Sequence, residues 1–228
     1  MTKTVCVTAL ANLVDDSTAG HLTNEGVVQT LSKLCKQPDP SSPDPTLLRL
    51  CIVAFNLLSN YDEAKISIAE KSSTLISLFG TYDVCADDAS RVICARTVAN
   101  LVKFEPVHTR VLEAGALRIL EQGARLADEE ASLDCILAIF LATTSTAKFR
   151  QLVARSLIPS VVAFIASSCY GEKYDVCVKT LSVLACYENS RIFVQSQDLF
   201  SSGMIILTEA INEKSLNKLM RMPYLHIQ

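Results

Sequence analysis

A short pattern returns along this chain at nearly constant spacing, and that limits the folds open to it. It reads Ala9-Leu10-Ala11-Asn12-Leu13, then Val53-Ala54-Phe55-Asn56-Leu57, then Thr97-Val98-Ala99-Asn100-Leu101. Weaker copies are Leu137-Ala138-Ile139-Phe140-Leu141 and Thr180-Leu181-Ser182-Val183-Leu184. Taking the Asn as position zero, the anchors are 12, 56, 100, 140 and 183, at intervals of 44, 44, 40 and 43. A fixed period of this size marks a chain built from one supersecondary unit that buries its apolar face only against the next unit.

A second segment keeps the same period. Val111-Leu112-Glu113-Ala114-Gly115-Ala116-Leu117 matches Leu22-Thr23-Asn24-Glu25-Gly26-Val27-Val28, and also Leu152 to Ile158, which continues into Pro159. Copies near Ile68–Leu78 and Val194–Leu207 are degenerate. Positions −6, −3, −2 and +1 around each anchor share one helical face. They are Cys94, Thr97, Val98 and Leu101 in the third copy, and Cys6, Ala9, Leu10 and Leu13 in the first. Gly26 and Gly115 permit sharp turns between helices, and Pro159 suits the first turn of one. The unit is therefore three helices.

Composition agrees with that unit. Half of the chain is apolar, aromatics make up 6% and Trp is absent, so Leu, Val, Ile and Ala fill the core. A net charge of −3 supplies no basic field for nucleic acid. No apolar run is long enough to span a membrane, and no signal-peptide pattern opens the chain. A cytoplasmic setting is expected, with the nucleus as a second compartment.

The period, together with the succession from "I-x-x-x-G-x-I-P-x-L" to "A-L-x-N-L", resembles the armadillo repeat. The likeness runs from about Val5 to about Leu207. It implies an all-α fold, an armadillo-type right-handed α-solenoid superhelix, occupying 1–228 as one solenoid. The expected parts are a partial repeat at 1–14, complete repeats at 15–60, 61–103, 104–144 and 145–187, and a degenerate or incomplete last repeat at 188–228. Because the first segment supplies only a third helix and the last lacks the anchor pattern, a longer parent solenoid is expected.

Nine cysteines without any CxxC form neither a zinc pattern nor an evident disulfide framework. Cys6, Cys94 and Cys177 fall at −6, where armadillo repeats usually carry Ala, and Cys51 and Cys135 fall at −5. Neighbouring helices lie about 10 Å apart, whereas a disulfide needs Cα atoms within about 7 Å. These five are expected to be reduced, buried packing residues. Redox sensitivity is left to the less regular Cys85, Cys169 and Cys186. Asp83, Asp87 and Asp88 precede a helix and suit its N-terminus. The proline-rich run 36–45 reads as a stiff connector, with Ser42-Pro43 a candidate phosphorylation site.

No phosphate loop, dinucleotide fingerprint, HExxH or GxSxG occurs, and the three histidines are far apart. No enzymatic activity, cofactor, metal or small-molecule substrate is expected. The armadillo resemblance instead implies a concave groove lined by third helices, with positions −4 and 0 facing it. These pairs are Thr8/Asn12, Ile52/Asn56, Arg96/Asn100, Ile136/Phe140 and Lys179/Val183. Asn at position zero both donates and accepts hydrogen bonds and can hold a peptide backbone. The other reading of these Asn residues is local bonding on the helix surface. The groove residues expected to contact a partner are Asn12, Asn56, Arg96, Asn100, Ile136, Phe140, Lys179 and Val183.

Nuclear-import adaptors of the family carry Trp at −4, which this chain lacks, so that role is disfavoured. The expected function is a non-catalytic protein-interaction scaffold binding an extended peptide or amphipathic helix. Arg96 suits an acidic portion of that partner, and Phe140 an apolar one. The alternative is a regulatory solenoid of or for an enzyme, such as a small-GTPase regulator or a ubiquitin-ligase arm.

Overall fold

The computed structural model describes residues 2–36, 44–85 and 87–196. Ser42 and everything from 197 onward, including most of the degenerate last repeat, lie outside the described residues. Fourteen helices occur among the described residues, and no strand. After α1 (Thr2–Asn12) they come in threes. These are α2 (Ala19–Asn24), α3 (Val27–Cys35) and α4 (Pro45–Leu58), then α5 (Asp62–Glu70), α6 (Ser72–Val84) and α7 (Asp88–Lys103). Next come α8 (Glu105–Glu113), α9 (Ala116–Gly123) and α10 (Glu129–Ser145), then α11 (Ala147–Arg155), α12 (Ile158–Ser168) and α13 (Glu172–Cys186), with α14 (Glu188–Ser196) last.

Local chemistry sets the boundaries. Gly26 (φ 81°) and Gly115 (φ 102°) take the left-handed conformation between the first and second helices of their units. A side chain there would be strained, which is why glycine stands at both turns. The Asp44 carboxylate caps α4 by accepting from the Thr46 and Leu47 amides, with Pro45 opening the helix. Asp87 caps α7, accepting from the Ser90 amide at 2.8 Å and the Ser90 hydroxyl at 2.8 Å. Those bonds hold its carboxyl below the usual range. Asp83 is not a cap; it meets the Arg118 guanidinium of α9.

By compactness the chain divides into two units, Met1–Ala138 and Ile139–Gln228, with the boundary inside α10. In the first unit, like stacks on like. The third helices α1, α4 and α7 follow one another, as do the first helices α2, α5 and α8 and the second helices α3, α6 and α9. In the second unit α11 packs on α12 and α14, and α13 packs on α12 and α14.

The third helices carry the core. Leu48, Cys51, Ile52, Phe55 and Leu58 of α4 are buried, as are Cys94, Val98, Leu101 and Val102 of α7. Buried hydroxyls are satisfied inside their own helices: Thr97 donates to the Ile93 carbonyl and Thr180 to the Val176 carbonyl, each at 2.8 Å. The thiols obey the expected register in four of five cases, since Cys51, Cys94, Cys135 and Cys177 are each 0% exposed. Burial pushes Cys135 and Cys177 up to about 12, so both stay protonated at neutral pH. Cys6 is the correction. It is exposed, because α1 packs on α4 through Val7 and Ala11 while its Val5, Cys6 and Leu13 side faces solvent.

Two substitutions test this packing. At Gly123 of α9 a Cβ would lie 2.5 Å from Cys135 Sγ and 2.9 Å from Ala95 Cβ. Gly123→Ala should therefore lower the unfolding free energy by about 1–3 kcal/mol through overpacking, read as a shift of the urea midpoint. An unchanged midpoint would mean that α9 stands further from α7 than described. Cys94→Asp should cost more, several kcal/mol, because an unpaired carboxylate would enter the stack; thermal unfolding like wild type would contradict the burial of Cys94.

Candidate functional site

The third helices of the first unit, α1, α4 and α7, each carry Asn at the anchor position. Asn12 ends α1 and is exposed; Thr8, one turn earlier, is exposed and donates to its own helix at the Thr4 carbonyl. Asn56 on α4 is half-buried, and its amide donates to Thr97 Oγ1 at 3.2 Å and to the Ile93 carbonyl at 3.5 Å. Asn100 on α7 reaches back to α4, donating to Ser59 Oγ at 3.3 Å and Asn60 Oδ1 at 3.4 Å. Each of these two Asn residues thus ties its helix to the neighbouring third helix. Their own carbonyl oxygens accept nothing among the described residues and stay available. The local-bonding reading of Asn therefore holds for Asn56 and Asn100, whose amide nitrogens are engaged within the fold.

Arg96 differs from expectation. Its guanidinium lies 2.7 Å from Glu130 and 3.4 Å from Asp134 of α10. Lys103 reaches the same Asp134 at 2.5 Å. Two cations and two carboxylates therefore neutralise one another, and Arg96 is not poised for an acidic partner. The signal was present in the sequence: Asp134 stands at −6 from Phe140, where three other copies carry Cys. A charge in a packing register announces a partner on the adjoining helix.

Ile136 requires a correction, and Ile52 the same one. Both are 0% exposed. The −4 position turns inward in these two copies, into the third-helix stack, so neither residue can contact a partner. A β-branched apolar side chain at the edge of the face rotates into the core, while Thr8 and Arg96 turn out because their polar ends seek water or a charge.

Below Asn100 lies a hollow of about 200 Å³ lined by Ser59, Asn60, Lys65, Asn100, Lys103 and Phe104. The Lys65 ammonium sits 4.7 Å above the Phe104 ring and pairs with Asp62 at 2.8 Å. The sequence pattern stops at Leu57 and Leu101; of the residues just beyond it, Lys103 stands out in the sequence as a basic groove residue, whereas Ser59, Asn60 and Phe104 do not. Phe140, Lys179 and Val183 belong to the second unit. All three are half-buried, Phe140 on α10 and the other two one turn apart on α13.

No protein-family model and no curated protein matches this sequence. Among solved structures, a computationally designed armadillo repeat protein for modular peptide recognition matches with a TM-score of 0.70. The match covers 92% of this chain and 90% of that one, at 15% identity. The fold is an armadillo repeat fold. Repetition of three helices around a buried third-helix stack is what the armadillo architecture requires, and it appears here at 15% identity to the designed protein.

The armadillo register gives Asn a structural share that is open to measurement. Asn56→Ala and Asn100→Ala each remove interhelix hydrogen bonds and should each cost about 0.5–1.5 kcal/mol of stability. Chemical unfolding of the single and double variants would check this, and stability equal to wild type would show that the amides bond water instead.

Proposed function

We propose that this chain is a non-catalytic protein-interaction scaffold that holds a partner peptide along the third-helix face of its first unit. The observation that carries the reading is the pair Asn56 and Asn100. They occupy the same register on stacked helices, and each uses its NH2 group internally while keeping an outward carbonyl oxygen. Such an oxygen accepts from a peptide N–H whatever the neighbouring side chains are. An amide already fixed by bonds to the scaffold loses little conformational freedom on binding. Asn12, exposed on α1, continues the row. The hollow below Asn100 receives one side chain of the bound segment, with the Phe104 face for its apolar part and Asn60 and Ser59 for a polar tip. The designed armadillo protein of similar fold, made for modular peptide recognition, supports the same class of partner.

With Arg96 and Lys103 already paired, recognition rests on the peptide backbone and one side-chain pocket more than on opposite charge. Salt should therefore weaken binding only modestly. In the second unit the half-buried Phe140, Lys179 and Val183 offer a more apolar lining, and we read them as suited to an aliphatic or helical segment.

The test is selection of peptides from a displayed random library on the wild-type chain, followed by affinity measurement for an enriched peptide. Asn100→Ala should weaken it by about 2–13-fold, the worth of one neutral hydrogen bond. Phe104→Ala should act through the hollow and weaken it further. Ile136→Val, at a buried position, should leave affinity unchanged. If the Asn56→Ala/Asn100→Ala double variant binds every enriched peptide like wild type while remaining folded, this face is not the binding surface.

A further inference from the structure

A cation seated on an aromatic ring occurs at the same register in both units. In the first unit Lys65 is the fourth residue of α5, and its ammonium lies 4.7 Å from the ring centroid of Phe104, which directly precedes α8. In the second unit Arg150 is the fourth residue of α11, and its guanidinium carbon lies 3.6 Å from the ring centroid of Tyr187, which directly precedes α14. Phe104 stands four residues after Asn100, and Tyr187 four residues after Val183. Each ring thus extends the −4 and 0 positions of its third helix by one further turn. The rows read Arg96, Asn100, Phe104 in one unit and Lys179, Val183, Tyr187 in the other.

The two copies differ in their counter-ions. Lys65 is paired at 2.8 Å with Asp62, the first residue of α5. The first residue of α11 is Ala147. Arg150 enters none of the ion pairs among the described residues, and neither does Glu188, the exposed residue next to Tyr187. Two contacts fix the half-buried guanidinium: the Tyr187 ring, and a hydrogen bond that Nε donates to the Thr143 carbonyl at 3.1 Å. Its two terminal amino groups donate to nothing among the described residues. In the first unit, by contrast, Arg96 and Lys103 are both spent on carboxylates of α10.

We propose that Arg150, seated on Tyr187, binds the side-chain carboxylate of an aspartate or glutamate in a partner peptide, with an aliphatic neighbour of that acid resting on Val183. The peptide's acid supplies to Arg150 the counter-ion that Asp62 supplies to Lys65. The terminal amino groups of a guanidinium form a planar fork that matches the two oxygens of one carboxylate through parallel hydrogen bonds. Stacking on tyrosine holds the fork without using a donor. Because the ring and the Thr143 carbonyl already fix Arg150, binding costs it little side-chain freedom. A single half-buried pair is screened less than a surface pair, so the salt dependence of binding stays modest. This site lies in the second unit and rests on the reading of the chain as a peptide-binding scaffold.

The experiment selects peptides from a displayed random library on the folded wild-type chain. Enriched peptides are remade with amidated C-termini, so that a carboxylate comes only from a side chain. One enriched family should share an Asp or Glu beside an aliphatic residue. Replacing that acid by Asn or Gln should weaken binding to the wild-type chain about 10–150-fold, the worth of a hydrogen bond to a charged group. Arg150→Gln should cost the acidic peptide about as much and the neutral peptide nothing further. Ala147→Asp, at the exposed start of α11, places a carboxylate three residues before Arg150, as Asp62 is before Lys65. It should weaken the acidic peptide several-fold while the melting temperature holds or rises, a result that a purely structural Arg150 would not give. The peptide substitution is read on the wild-type chain, so a variant that fails to fold leaves the test intact. The proposal is overturned if no enriched family shares an acid, if the acid and Arg150 contribute independently, or if phosphoserine in place of the acid binds more tightly. Binding that falls in Asn56→Ala/Asn100→Ala and ignores Arg150→Gln upholds the first-unit row and sinks this site, and the reverse pattern does the opposite. If the folded chain enriches no peptide, both fall.

Discussion

A unit of three short helices cannot bury its own third helix. In the first unit of this chain the apolar side of α4 is enclosed only because α1 and α7 lie on either side of it and α3 lies across it. Every other feature follows from that requirement. Side chains between stacked helices must be slender, hence Cys94, Ala95 and Ala99 on α7 and Gly123 on α9. Hydroxyls that enter the stack must be satisfied within their own helix, as at Thr97 and Thr180. The turns between first and second helices must be tight enough to bring the next layer into register, hence glycine at 26 and 115.

The same requirement explains how much the sequence disclosed. Packing inside a repeated layer is periodic, so it leaves a period in the sequence: the anchors, the two turn glycines, Pro159 and four of five registered cysteines all follow from counting. What escaped counting lies at the margins of a layer or between layers. Whether position −4 turns in or out depends on its own chemistry, which separates Ile52 and Ile136 from Thr8 and Arg96. The pairing of Arg96 and Lys103 with Asp134 spans two repeats and is encoded by one residue breaking the register. Cys6 is exposed because α1 packs on α4 through Val7 and Ala11 and turns its other side outward, and no local pattern around Cys6 records which side is covered.

In such a fold the structural role and the proposed binding role fall on the same residues. An Asn at the anchor is too polar to be buried and too short to reach far into solvent. At half-burial it spends its donors on the neighbouring helix and keeps an acceptor outward. On the proposed reading the bonds that hold α4 to α7 also fix the orientation of the acceptors, so a substitution at Asn100 would perturb stability and recognition together, and separating them requires comparing affinity on protein shown to be folded. The salt-linked quartet of Arg96, Lys103, Glu130 and Asp134 plays the opposite part, since its charges are spent on one another.

The buried cysteines arise from the same geometry seen from inside. Where α9 ends against α10, a Cβ at Gly123 would lie 2.5 Å from the Cys135 sulfur, so glycine on one helix is matched to a small side chain on the next. Cysteine fills such a space with a polarizable, weakly hydrogen-bonding atom that costs little to bury. Cys51, Cys94, Cys135 and Cys177 hold this inner position on their third helices and are buried, whereas Cys6 lies on the side of α1 turned away from α4 and is exposed. The burial of a cysteine is thus set by its place in the layer, with residue type held constant.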